Sequence, residues 1–458
     1  MASVDDPLTS TPGATATEVL PDPTAAAAET VVLDIPPELV AQSLGEYLRG
    51  WFARVRNGDS GVLPVILAIV AVAVIFEVVT PENAFLRTSN LVYIFQESTV
   101  FMVLAMAEIF ALLLGEIDLS IGSVSLLGGV IAFKLVQAHP GPGLPWWAAI
   151  IGALLCCAVI GAIQGTLVAR LKMPSFIVTL GGLLILEGVA IIILGGSGLV
   201  GISNPQFANE VAIYDIFWGR FDPMVSWIVL AVVLAGWGAA LWLSDARRRR
   251  SGLVAPPASL TAIKIAFVAA VGAAVVAICN VNRGNLGVIA GVPWVIPIVL
   301  ALLGAWTLLL QRTRFGRYVY AIGGNPESAR RAGVSLPAIR TWGFVLSSVT
   351  AGIAGILLGS FFYGQFSTNT ADPGQLVLYA VAASVIGGAS LFGGRGKPIH
   401  GVLGGLVIAG IYNGLYLLGG FLSNVEWQYI ITGLVLLGAV IIDAISRRGA
   451  SSGSVTRA

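Results

Sequence analysis

Apolar runs long enough to cross a bilayer recur along nearly the whole chain, and this repetition leaves few folds open. A hydrocarbon core about 30 Å thick takes roughly 20 helical residues. Stretches approaching that length fall at 62–79, 91–114, 123–136, 146–168, 176–194, 225–243, 262–278, 292–310, 342–362, 376–386, 399–418 and 429–445. Composition agrees, since 57% of the 458 residues are hydrophobic, 11% are charged and the mean hydropathy is +0.89. A soluble protein would carry about 25% charged residues. In lipid the backbone must satisfy its own hydrogen bonds, and runs of this length do so as helices. The expected fold is therefore an all-α polytopic integral membrane protein with about 12 transmembrane helices. The third and tenth runs are short, so either can be re-entrant or broken.

Charge placement predicts orientation. Basic residues gather in cytoplasmic loops, and with the N-terminus inside, all but five of the 25 Lys and Arg fall on one side. Arg87, Lys134, Arg220 and Arg283 fall on the other, and Lys264 sits at a span boundary. Both termini are thus expected in the cytoplasm. No basic residue precedes Arg49, so the N-terminus does not read as a signal peptide. Its Ala, Pro, Thr and acidic residues bury too little apolar surface to offset chain entropy, which predicts a disordered cytoplasmic tail over 1–58. A transmembrane domain follows over 59–446, then a second cytoplasmic tail over 447–458. The loop at 244–260, with Arg247 to Arg250 and Pro256-Pro257, reads as a positive-inside anchor or as a contact for anionic lipid. A net charge of +1 gives no support for a nucleic-acid partner.

No catalytic or metal-binding constellation is visible. Cys156, Cys157 and Cys279 lie in or beside apolar runs, where they act as small apolar residues, while His139 and His400 stand apart from any ligand cluster. Glycine recurs at a spacing of four within the runs, as Gly161/Gly165, Gly355/Gly359, Gly401/Gly405 and Gly410/Gly414. Small residues so spaced let helix backbones approach closely in lipid, and a Gly-rich bundle can also rock, as transporters require.

Two segments stand out. Gly115-Glu-Ile-Asp-Leu-Ser-Ile-Gly-Ser123 places two carboxylates between apolar runs, where burial costs about 2.5–3.5 kcal/mol each near a helix centre. Asp118 or Ser120 can cap the following helix; alternatively Glu116, Asp118, Ser120 and Ser123 face a translocation pathway and hydrogen-bond a solute. Glu97, another pathway candidate, Glu108 and Glu187 are acids inside apolar runs. The second segment is the basic stretch 313–334. Its Asn325-Pro326 is a helix-start signal and Gly333 a stop, which predicts a helix of about two turns on the cytoplasmic surface.

From about Asn90 to Arg448 the sequence resembles permease subunits of bacterial ATP-binding-cassette importers for ribose, xylose and related monosaccharides. Gly115–Ser123, Ser175-Phe-Ile-Val-Thr-Leu-Gly-Gly182, the 321–334 stretch and Val385-Ile-Gly-Gly-Ala-Ser-Leu-Phe-Gly-Gly-Arg-Gly396 carry the likeness, in that order. The resemblance implies that Gly323, Asn325, Pro326, Glu327, Ala329, Arg330, Arg331 and Gly333 form the element that couples to the ATPase. It also implies a homodimer in a bacterial cytoplasmic membrane, a partner ATPase subunit and an extracytoplasmic sugar-binding protein. The long tail and the extra region around 225–278 look more like the xylose-type members. Internally, 161–165 followed by 175–186 resembles 410–414 followed by 427–437 in opposite orientation, as inverted repeats would.

The energy source must lie elsewhere. No G-x-x-x-x-G-K-[ST] motif occurs: Gly396-Lys397 is followed by Pro398, and Leu391 replaces the first glycine. ATP is then used by a partner subunit and no cofactor is expected on this chain. The alternative is an ion-gradient-driven secondary transporter of a small polar solute, with Glu97, Glu108 or Glu187 as coupling groups. A membrane enzyme would need a catalytic constellation that the sequence does not display.

Overall fold

The computed structural model describes residues 45–47, 49–50, 52 and 61–452, apart from 139–140, 196–206, 254, 285–286, 363–366, 368–370 and 421–423. Most of the tail expected over 1–58, the residues beyond 452, and His139 lie outside the described residues. Among the described residues, fifteen helices of six residues or more follow from residue 63: α1 Leu63–Val79, α2 Thr88–Leu113, α3 Ile121–Val136, α4 Trp146–Arg170, α5 Ser175–Leu194, α6 Ala208–Trp218, α7 Pro223–Arg250, α8 Ala258–Asn280, α9 Val295–Arg312, α10 Arg314–Gly324, α11 Pro326–Arg331, α12 Leu336–Phe361, α13 Pro373–Ile386, α14 Pro398–Leu418 and α15 Val425–Ser452.

Each of the twelve apolar runs is a helix, and eight of these are long and apolar enough to span a membrane. The third and tenth, α3 and α13, have 16 and 14 residues, or about 24 and 21 Å of rise, less than a full hydrocarbon core. The apolar pattern did not indicate α6 or α10, because neither carries an uninterrupted apolar run. α15 continues to Ser452, so the boundary placed at 447 falls within a helix.

Helix α2 is the axis of the bundle. Of its 26 residues, every one from Gln96 to Leu113 is buried except Met102, which is half-buried. α12, α13 and α14 pack around it, and α3 lies behind, between α12, α4 and α5. The outer helices α4, α5, α7, α8 and α9 are mostly unburied apolar surface, as lipid-facing helices should be. The extra region is an α7–α8 hairpin on the periphery, tied by a hydrogen bond from Thr261 Oγ1 to Asp245 Oδ2 at 2.9 Å.

The four glycine pairs explain how α2 and α12 are enclosed. A Cβ at Gly401 or Gly405 would press on the α2 backbone at Ala105, Met106 and Met102. Gly355 and Gly359 meet α3, where a Cβ on Gly355 would overlap the Ser125 carbonyl. Gly161 and Gly165 seat α4 on α12, with Val345 Cα and Thr341 Cα each 2.8 Å from the respective Cβ positions. Gly410 and Gly414 face Val72 and Phe76 of α1. Without a hydrophobic drive between helices in lipid, such close backbone approach supplies the packing energy.

Candidate functional site

The polypeptide brings two sets of polar residues to opposite ends of α2. One end carries the C-terminus of α2 with α10 and α11, and Arg170, Lys172, Arg247 to Arg250, Arg312, Arg314, Arg317, Arg330, Arg331, Arg340, Arg395 and Lys397 belong to segments at this end.

At this basic end α9 turns into α10 through Thr313, whose Oγ1 accepts from Gly316 N at 3.3 Å. α10 ends at Gly324, and Asn325 caps α11 by accepting from Ser328 N at 3.0 Å. That cap and Pro326 at the first turn are what the sequence predicts; the helix spans Pro326–Arg331. Glu327 pairs with Arg330 at 2.8 Å and Arg331 at 3.3 Å on an exposed face. Hydrogen bonding to Arg330, and less to Arg331, holds the Glu327 carboxyl below its ordinary value. The opposite side of α11 buries Ala329 in an apolar cluster with Ile109, Leu112, Leu113 and Leu114 of the α2 terminus and its following turn.

Next to α11, Gly323 lies so close to the Leu113 carbonyl that no side chain fits, and Gly394 N donates to that same carbonyl at 3.0 Å. Gly393 and Gly394 take φ of +87° and +71°, conformations open to glycine. Tyr320 Oη donates to Gly396 O at 2.8 Å. A Cβ on Gly393 would lie 2.9 Å from Gly323 O and 3.0 Å from Gly115 Cα, so three separate motifs, at 115–123, 321–334 and 385–396, meet at one junction on the end of α2.

Within the 115–123 segment Asp118, Ser120 and Ser123 are fully buried. Asp118 Oδ1 accepts from Ser120 N at 3.0 Å and Ser120 Oγ at 2.6 Å, and its Oδ2 accepts from Ser347 Oγ at 3.2 Å. Ser120 Oγ also lies 3.1 Å from Gln164 Oε1, and Ser123 Oγ donates to Leu183 O at 2.8 Å. Neither side chain caps α3: Ser120 occupies the cap position without a side-chain cap bond, and Asp118 instead closes a turn onto the N–H and hydroxyl of Ser120 just ahead of the helix. Glu116 forms an ion pair with Arg340 at 3.3 Å, at 13% and 25% side-chain exposure, although the Arg340 Nε–H is not aimed at the carboxylate. The segment ties together α3, α4, α5 and α12.

Glu97 lies in the other half of α2, on its N-terminal side. It sits eleven positions before Glu108 on α2, about three turns and 16 Å, and so on the same helix face. Its side chain lines a cavity of about 380 Å³ with Tyr93, Val100 and Phe101 of α2, Leu358, Phe361 and Phe362 at the end of α12, Gln375, Leu376 and Tyr379 of α13, and Tyr412, Asn413 and Tyr416 of α14. The volume suits a small molecule. Phe101 and Tyr379 rings meet edge to face at 5.2 Å, and Gln375 Nε2 donates to Tyr379 Oη at 2.6 Å. Asp372 caps α13 through Gly374 N at 2.8 Å and Gln375 N at 3.2 Å, which fixes this wall. Glu97 is 5% exposed and its Oε2 has no hydrogen-bond partner. Glu108 is fully buried with neither carboxylate oxygen hydrogen-bonded.

Of the five sequence-derived pathway candidates, Glu97 lines this cavity and the other four gather at the basic end. The aromatic and amide lining was not anticipated, because Tyr379 and Tyr412 read as ordinary members of apolar runs and Gln375 as a residue just outside one. Among the described residues no group of His, Cys, Asp and Glu is placed to hold a metal ion, and the three cysteines are free.

Residues 90–440 match the family described as branched-chain amino acid transport system / permease component. The chain is 31% identical to the xylose transport system permease protein of Escherichia coli (strain K12), over 87% of this chain and 95% of that protein. It is 33% identical to the xylose transport system permease protein of Haemophilus influenzae (strain ATCC 51907 / DSM 11121 / KW20 / Rd), over 84% and 97%. Identity to the D-allose transport system permease protein of Escherichia coli (strain K12) is 30%, over 83% and 90%. No solved structure matches the chain.

Proposed function

Since the chain belongs to the branched-chain amino acid transport system / permease component family, we propose that it is the membrane-spanning permease of an ATP-driven importer for a monosaccharide, xylose-like or ribose-like. The observation that carries the sugar assignment is the near full-length likeness to permeases named for xylose and D-allose. ATP is hydrolysed on a partner subunit, since this chain has no P-loop. An extracytoplasmic sugar-binding protein delivers solute to the end of the bundle that holds the Glu97 cavity. Two copies of the chain enclose the pathway in a bacterial cytoplasmic membrane, with the basic end and both termini in the cytoplasm.

Coupling runs through α11. The exposed face with Glu327, Arg330 and Arg331 is free for the ATPase to grip, while Ala329 stands on the α2 terminus. ATP-driven closure of the partner subunits pushes α11, and the junction of Gly323, Leu113 and Gly394 passes that displacement to α2. Because α2 is one uninterrupted helix of 26 residues, movement at Leu113 reaches Glu97. One observation favours the ion-gradient alternative, the buried Glu108 carboxylate without a hydrogen bond.

Affinity purification of the chain from its native membranes in mild detergent tests the reading. A stoichiometric P-loop ATPase and ATP-dependent sugar uptake in proteoliposomes are expected. A chain that always purifies alone, and moves solute in ion-loaded vesicles without ATP, refutes it.

A further inference from the structure

We infer that the cavity around Glu97 is a binding site for a neutral polyhydroxylated ring within the permease itself, with Glu97 as its central hydroxyl partner. The inference rests on the importer reading and adds a solute site on this chain to it.

The first argument is the orphaned carboxylate. Placing a carboxyl at membrane depth without a partner is costly, and Glu97 is 5% exposed with Oε2 unbonded in the cavity wall. A carboxylate accepts hydrogen bonds from hydroxyls when ionised, and a carboxylic acid donates one when protonated. Either form suits a hydroxyl group. An ionised Glu97 repels an anion.

The second argument is what else lines the space. Among the described residues, none that lines the cavity is Lys or Arg. The carboxylate of an amino acid, or the phosphate of a phosphosugar, would find no cation there. The nearby N-terminus of α13 is engaged by its own Asp372. Rings from four helices border the cavity, among them Tyr93, Phe101, Phe361, Tyr379, Tyr412 and Tyr416. Aromatic faces carry a negative quadrupole, which attracts the polarised C–H bonds on the apolar side of a sugar ring. Gln375 and Asn413 supply neutral amide groups of the kind that hydroxyls pair with. A carboxyl, two amides and aromatic faces in a volume of about 380 Å³ match a single pyranose better than a zwitterionic amino acid or an anion.

The location fits a transient station. Residues 93–101 begin α2 and 412–416 end α14, so the site lies at the end of the bundle away from α11. Binding energy spent on solute here is coupled through α2 to the junction with α11.

The test uses the full chain in lipid nanodiscs, without the binding protein, and saturation-transfer NMR with xylose, ribose, allose and leucine as probes. At least one sugar should receive saturation on its ring C–H protons, and leucine should not. Glu97→Ala should weaken that sugar's binding about tenfold, as loss of a hydrogen bond between buried partners implies whichever form Glu97 takes. Tyr416 is 66% exposed, so Tyr416→Ala tests the stacking wall with little risk to folding and should weaken binding several-fold. Absence of saturation for every sugar, in a preparation that imports sugar once reconstituted with its ATPase and binding protein, overturns the inference and leaves the importer reading standing. Unchanged affinity in both variants overturns it equally. Binding of leucine instead of sugars overturns the sugar assignment in both.

Discussion

Two adjacent glycines at the end of α10 should respond in opposite ways to the same substitution. At Gly324 an added Cβ meets nothing within 4 Å. Gly324→Ala therefore gains helix propensity, up to about 1 kcal/mol. At Gly323 the Cβ would overlap the Leu113 carbonyl and lie 2.5 Å from Gly394 N and 2.9 Å from Gly394 Cα. All three atoms are backbone, and the Gly394 N–H bond to Leu113 O at 3.0 Å holds them together. No side chain can rotate away, so α10 must retreat by on the order of 1 Å to restore ordinary contact distances. Overpacking of this kind costs about 1–3 kcal/mol. With the propensity gain common to both, Gly323→Ala should be less stable than Gly324→Ala by about 1–3 kcal/mol. Solubilised membrane proteins often unfold irreversibly, so inactivation half-lives at one temperature are the measure, and the difference corresponds to about 5- to 150-fold if it appears wholly in the unfolding barrier. ATP-dependent uptake should fall in Gly323→Ala and persist in Gly324→Ala. Equal half-lives and equal uptake would refute the idea that this contact transmits force between α10 and α2.

Reversing both charges in Arg330→Glu/Arg331→Glu should abolish ATP-driven uptake while leaving thermal stability unchanged, because their pairs with Glu327 are solvent-exposed and worth little to folding; normal uptake would remove α11 from the coupling path. Since the Glu327 carboxyl is depressed, the stabilisation it provides is present above its ordinary value and lost as pH falls through the folded one, so uptake and ATPase turnover should stay coupled from pH 8 down to about 5; uncoupling that titrates near pH 6 in wild type but not in Glu327→Gln would contradict this. Gly355→Val should destabilise the α12–α3 contact by about 1–3 kcal/mol or more, because its Cβ falls on the Ser125 carbonyl; wild-type detergent stability would disprove that approach. In a double-mutant cycle on the Glu116–Arg340 pair, the coupling should be about 1 kcal/mol, since the N–H is poorly aimed and both groups are partly hydrated; zero coupling would reduce the pair to proximity alone.

Much of this architecture was legible in the order of residues. The apolar runs correspond one by one to the helices α1 to α5, α7 to α9 and α12 to α15, because a segment in lipid has to close its own backbone hydrogen bonds and local hydropathy suffices to specify that. The Gly pairs identified helix contacts, and Asn325-Pro326 identified the start of α11, since a cap and a fixed φ act within one turn. Neither α6 nor α10 was visible, because each is a short helix whose apolar residues are interrupted by polar ones, so local hydropathy does not mark it.

What only the tertiary structure decided is which polar residues share a space. Along the sequence Glu97 and Glu116 belong to one polar series, yet the stretch of α2 from Glu97 to Leu113, about 24 Å of rise, separates them, placing Glu97 in an aromatic cavity and Glu116 beside Arg340. Conversely, Leu113, Gly323 and Gly394 are far apart in the chain and meet at one carbonyl. Hydropathy is a property of each segment and is written locally, whereas the side of a helix that faces a cavity, and the helix across from it, are set by packing among segments distant in sequence.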